Sequence, residues 1–90
     1  MTKVFLSKRF ERDLEKIPEY LKGKALLWVR LVQDYGISEI QKRPGFHDEP
    51  LSGKRLGQRS VRLNRAYRLI YWVLEDRVKI ELLEVNKHDY

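Results

Sequence analysis

Four arginines recur at steps of three, Arg59, Arg62, Arg65 and Arg68, and a lone histidine, His88, stands near the far end of the same stretch. A guanidinium stays charged in any physiological medium and grips phosphate oxygens through parallel N–H donors. An imidazole, with an ordinary pKa of about 6.5, takes or gives a proton near neutrality. Together these groups can hold an anionic ester and move a proton on it. His88 is the residue best suited to that transfer, as general acid or base. No Gly-rich phosphate loop, Ser-His-Asp order or paired carboxylate arrangement stands out.

A step of three would suit a helix if the intervening residues were not Val61, Leu63, Tyr67, Leu69 and Tyr71. Their alternation at period two predicts strands over 59–64 and 67–73, parted by Asn64-Arg65, and a third over 77–87 after Glu75-Asp76. In this meander Val61, Leu63, Leu69, Tyr71 and Val73 share one face, and Arg62 and Arg68 the other. The last strand keeps Val78, Ile80 and Leu82 in phase, then Leu83 and Val85 take the apolar role one position out of step. Either a β-bulge near Leu82-Leu83 turns Glu84, Asn86 and His88 to the arginine face, or the chain leaves the sheet after Val85. Glu81 and Glu84 suit ordering the arginines better than acid–base work, and Arg68 paired with one of them is the plain structural alternative.

Upstream residues read as packing for this sheet. Lys3 to Leu6 forms a short strand, and Ser7 can cap a helix in which Phe10, Leu14 and Ile17 make the buried stripe. Pro18 ends that helix or opens the next. In the second helix Leu21, Ala25, Trp28, Val32 and Tyr35 form a stripe, widened by Leu27 and Leu31, and Gly36 is its C-cap. Ile37 to Arg43 can add one turn, and residues 44–50 form a proline-bounded loop holding His47. Trp28 belongs to the core, while Trp72 lies on the open face, to be covered by a partner or by the first strand. The fold class expected is α+β: a small antiparallel sheet of about four strands, in the order β-α-α-β-β-β, with two helices on one face.

The 90 residues make a single domain, 1–90, with one shallow core. There is no cysteine, so neither a disulfide nor a sulfur-ligated metal, and two histidines make a structural zinc improbable. The opening MTKVFLSKRF lacks the apolar run of a secretion signal, and no segment nears the roughly 18 apolar residues of a membrane span. A cytoplasmic location is the expectation. Nineteen lysines and arginines against 13 acidic residues, a net charge of +6, favour a polyanionic partner but equally suit a merely basic surface.

Pro50-Leu51-Ser52-Gly53-Lys54-Arg55, then Gly57-Gln58-x-Ser60-x-Arg62-Leu63-Asn64, then Tyr67-Arg68-Leu69-Ile70-Tyr71, together with the ending Glu84 to Tyr90, carry a family resemblance. In these residues and in element order the chain resembles the RelE/ParE superfamily of toxins from type II toxin–antitoxin modules, the Gly-Gln portion being most similar to the HigB branch. The resemblance implies a ribosome-dependent endoribonuclease that cuts messenger RNA without a metal or other cofactor. It also implies a cognate antitoxin that holds the protein inactive, with operator DNA contacted only through that complex. Such an antitoxin is expected to bring an acidic segment onto the helices or over the arginine face.

By the same resemblance Arg68 takes the position of a phosphate-stabilising arginine, and Arg62 a strand position where members carry a lysine, arginine or histidine. Tyr90 matches a terminal aromatic that orients or stacks on the substrate. His47 is either a second catalytic histidine or a plain loop residue. Lys54, Arg55, Arg59 and Lys87 suit contacts to RNA phosphates. Two other readings stay open: the branch that poisons DNA gyrase on the same fold, and a non-catalytic partner in a repressor complex.

Overall fold

The computed structural model describes residues 2–75 and 79–87. The chain runs β1 (Lys3–Leu6), α1 (Lys8–Lys16), α2 (Glu19–Tyr35), α3 (Ile37–Gln41), β2 (Glu49–Pro50), β3 (Gln58–Arg62), β4 (Tyr67–Leu74) and β5 (Lys79–Lys87). Short 3-10 turns at Pro44–Phe46 and Gly53–Arg55 flank β2. The expected α+β architecture is present, with the extra helical turn after Gly36 formed as α3 and one addition, the two-residue strand β2.

All the strands form one sheet in the order β1-β5-β4-β3-β2. β2 through β5 are antiparallel neighbours, whereas β1 runs parallel to β5, pairing Val4 with Ile80 and Leu6 with Leu82. The sheet is therefore mixed, not wholly antiparallel. A hairpin cannot join parallel neighbours; the helices after β1 carry the chain to the opposite edge, where β2 begins, and the antiparallel run β2-β3-β4-β5 leads back beside β1.

Local chemistry sets the element ends. The Ser7 hydroxyl accepts from the Phe10 amide at 2.9 Å and donates to the Leu83 carbonyl at 2.8 Å, capping α1 and tying it to β5. Pro18, with φ −56°, precedes the first turn of α2 and lends it no N–H. Gly36 closes α2 at φ 85°, a conformation side chains resist, and donates to the Val32 carbonyl. The core joins Phe10 of α1, Leu21, Ala25, Trp28 and Val32 of α2, Ile37 and Ile40 of α3, and the inward face of the sheet. Tyr35 and Leu27, assigned by spacing to the buried stripe, are instead more than half or half exposed, because they lie on the flank of α2 beyond the reach of the sheet.

Two irregularities aim the polar face. Ile70 pairs with Glu84 but Tyr71 pairs with Leu82, leaving Leu83 as the extra residue of a β-bulge. The bulge returns Val85 to the core and sets Asn86 opposite Arg68, as the one-residue slip in apolar phase requires. Between β3 and β4 the link spans Leu63 to Ala66 and is longer than the predicted Asn64-Arg65 pair. Asn64 Oδ1 accepts from the amides of Ala66 and Tyr67, each at 2.8 Å, so the side chain stands in for a tighter turn.

Candidate functional site: an arginine cleft

Ladder register brings the site together. Arg62 lies directly opposite Arg68, and Arg68 directly opposite Asn86. One step along, Glu49 pairs with Ser60, and Ser60 with Ile70. Directly opposed residues share a face, so Glu49, Arg62 and Arg68 point the same way. They line a cleft with His47, Arg65 and Tyr67. Ser60 lies within it and the Asn64 turn closes one end. The Asn64 amide also donates to the Tyr20 hydroxyl of α2 at 3.0 Å, fixing the turn that carries Arg65.

The charges in the cleft are unbalanced. Like charges directly opposed on a ladder repel, yet no ion pair joins Arg62, Arg65 or Arg68 to a carboxylate among the described residues. The Arg68 Nε instead donates to the neutral Asn86 Oδ1 at 3.0 Å, which orients the guanidinium while leaving its charge free. Glu49 is the one carboxylate among the described residues that line the cleft, and it forms no ion pair among them.

Other arginines in the chain are differently placed. Arg55 meets Glu84 at 2.5 Å and donates to Gln58 at 2.9 Å, and Arg9 reaches the same Glu84 at 3.1 Å. Arg59 lies opposite Tyr71 on the core face and binds Asp48 at 2.6 Å. Burial alone would lower the Arg59 pKa, but the hydrogen bond and charge of Asp48 outweigh it and raise the value. Tyr71 donates to the other oxygen of Asp48 and accepts from Gln41 Nε2 at 3.1 Å. Burial first, and the bond to Asp48 second, push the Tyr71 hydroxyl far above the ordinary tyrosine pKa, so it keeps its proton.

Of the residues singled out from sequence, Arg62, Arg68 and His47 meet in the cleft. Arg55 and Arg59 do not present open cations there, because each is turned onto a carboxylate. Lys54 is exposed on the turn before β3, at the other end of that strand from Arg62. Lys87 is paired with Tyr67, so alternation directs it to the face opposite Arg68. His88 and Tyr90 lie outside the described residues. The pairings of Arg68 with Glu81 or Glu84 considered above are not formed: Glu81 accepts from Trp72 Nε1 at 3.0 Å and Glu84 is taken by the two other arginines.

Glu49 and Asp48 were missed. Both sit in what reads as a polar loop, where a single carboxylate carries no periodic signal. Their usable signal was the following Pro50, which suits an edge strand and so could have placed Glu49 opposite β3. Among the described residues no group of His, Asp or Glu could hold a metal ion.

Scans against protein-family models and against curated proteins find no match to this chain. Solved structures do match. RelE in the archaeal RelE–RelB complex from Pyrococcus horikoshii superposes with a TM-score of 0.74 at 23% identity, over 96% of this chain and 93% of that one. The YoeB–YefM complex from Staphylococcus aureus gives 0.73 at 17% identity, over 99% of both chains. YafQ from E. coli gives 0.72 at 18% identity, over 98% of this chain and 94% of that one. At these identities the likeness is one of fold. The chain shares the fold of these RelE, YoeB and YafQ structures over nearly its whole length, the fold that the resemblance in its motifs led us to expect.

Proposed function

We propose that this chain is the toxin of a toxin–antitoxin module and acts as a metal-independent endoribonuclease on ribosome-bound messenger RNA. The observation that carries the reading is the cleft itself: three arginines without carboxylate partners among the described residues, arranged around one carboxylate and one histidine. Shared fold with structures of toxin–antitoxin complexes supports the class.

The chemistry follows from the residue types. Glu49 takes the proton from a ribose 2′-hydroxyl, and the freed oxygen attacks the adjacent phosphorus. Arg62 and Arg68 stabilise the charge that builds on the non-bridging oxygens. The bond to the 5′-oxygen breaks, that oxygen receives a proton from His47 or His88, and the products are a 2′,3′-cyclic phosphate and a free 5′-hydroxyl. Tyr90 keeps the role in substrate contact that the resemblance suggests. A cognate antitoxin neutralises the protein, and any operator contact runs through that complex.

The test is addition of the purified protein to a translating extract, with messenger 5′ ends mapped by primer extension. New ends that vanish with Arg68→Ala are expected. Absence of new ends with the native protein would end the nuclease reading. Inhibited DNA supercoiling that survives Arg68→Ala would replace it with the gyrase-directed one.

A further inference from the structure

Asp48 is the most deeply buried carboxylate of the ion pairs, with its side chain wholly inaccessible, yet its neighbours in sequence, His47 and Glu49, are both exposed cleft residues. β2 is two residues long at the sheet edge, where Glu49 pairs with Ser60 and Pro50 with Arg59; on either side of it the His47 N–H donates to the Pro44 carbonyl at 3.2 Å and the Leu51 N–H to the Gln58 carbonyl at 2.9 Å. His47 also holds φ 46°, a left-handed conformation that a non-glycine residue keeps only when its surroundings impose it.

His47 is the C-cap of the Pro44–Phe46 turn, and the groups that hold the next residue, Asp48, sit beneath the sheet. Arg59 of β3 and Tyr71 of β4 each bind a separate oxygen of Asp48, and Gln41 at the end of α3 secures the Tyr71 hydroxyl. Tyr71 is itself set against Trp28 of α2, ring centroids 4.8 Å apart. Phe46, buried in the core, anchors the other side of His47. We propose that Asp48 is a positioning residue: held by Arg59 and Tyr71, it pins the segment that aims His47 and Glu49 at the arginines. The proposal rests on the nuclease reading for its consequence in catalysis, but the pinning itself can be measured without any substrate.

The first measurement is native-state amide exchange on the whole chain. Tyr71→Phe, which keeps the ring against Trp28, and Asp48→Asn are expected to speed exchange at the amides of His47 and Leu51 at least tenfold, with the β4 and β5 amides unchanged. Unchanged exchange at His47 and Leu51 in both variants overturns the proposal. So does a uniform rise across the sheet, which would mark a residue of general stability only.

The second measurement is single-turnover cleavage of ribosome-bound messenger RNA, well below each variant's melting temperature. Misplacement by about an ångström can lower a rate as much as 100-fold, so Asp48→Asn is expected to lower the cleavage rate by 10- to 100-fold with little change in substrate concentration dependence. In a Glu49→Gln background the same substitution should cost less than in the native chain, because one of the two groups it positions is already gone. Full additivity of the two substitutions overturns the positioning role. If the native protein does not cleave while exchange at His47 and Leu51 responds as stated, the nuclease reading fails and the pinning stands.

Discussion

Two sets of arginines follow one another along residues 55–68 and do opposite things. Arg59 and Arg55 are turned onto Asp48 and Glu84, and Arg9 joins the second pair; Arg62, Arg65 and Arg68 face a cleft without such partners among the described residues. Residue type is identical. What differs is the partner: alternation turns Arg59 to Asp48 on the core face and Arg55 reaches Glu84 from the turn before β3, whereas Arg62 and Arg68 face the cleft, where Asn86 is neutral. The first set holds the fold together, and the second keeps a charge deficit that an external anion can fill.

That contrast can be broken by substitution. The largest effect should come from the open set: Arg68→Ala is expected to slow cleavage by on the order of 10² to 10³, as loss of one oxyanion donor does, while its melting temperature stays close to native. A thermal melt beside the rate assay checks both halves. Next comes Glu84→Gln, which removes the charge between Arg9 and Arg55. Because both cations can reach water, the loss should be about 1–2 kcal/mol, below the 3–5 typical of fully buried pairs, and urea unfolding reads it. Smallest is Arg30→Ala. Its pair with Asp34, at 4.0 Å on the outer face of α2, is solvated on both sides, and a change in stability within about 0.5 kcal/mol is expected by the same unfolding assay.

Alkaline stability sharpens the comparison from the clasped side. The folded Tyr71 pKa is raised by burial and by Asp48, so between the unfolded tyrosine value, about 10, and the higher folded one the unfolded chain loses a proton that the folded chain keeps. Stability therefore holds below about pH 10 and falls as pH rises beyond it, by up to about 1.4 kcal/mol per pH unit from this group. Tyr71→Phe lacks the proton and should flatten that part of the curve in a pH series of denaturant melts.

Much of this arrangement was legible in the chain. Period-two alternation outweighed the three-residue spacing of the arginines and put Arg62 and Arg68 on one face, and the slip in apolar phase at Leu82-Leu83 announced the bulge. Ser7, Pro18 and Gly36 marked the helix ends by their own backbone chemistry. What was not legible depends on contacts between distant segments. Asp48 and Arg59 are 11 residues apart and Arg55 and Glu84 further still, so nothing local says that these cations are engaged. Glu49 lies on a strand created only by pairing with β3, and the parallel placement of β1 follows from the helices carrying the chain to the far edge, from which β2 to β5 lead back.

The central claim, that the open arginines are the phosphate site and the clasped ones are not, is tested most directly by arginine side-chain NMR. The native chain is titrated with a short RNA whose reactive ribose is 2′-deoxy, so that it binds without being cut. The account predicts that the Nε resonances of Arg62 and Arg68 move and saturate together while those of Arg55 and Arg59 stay in place. Movement of Arg55 and Arg59 with Arg62 and Arg68 unchanged would contradict it.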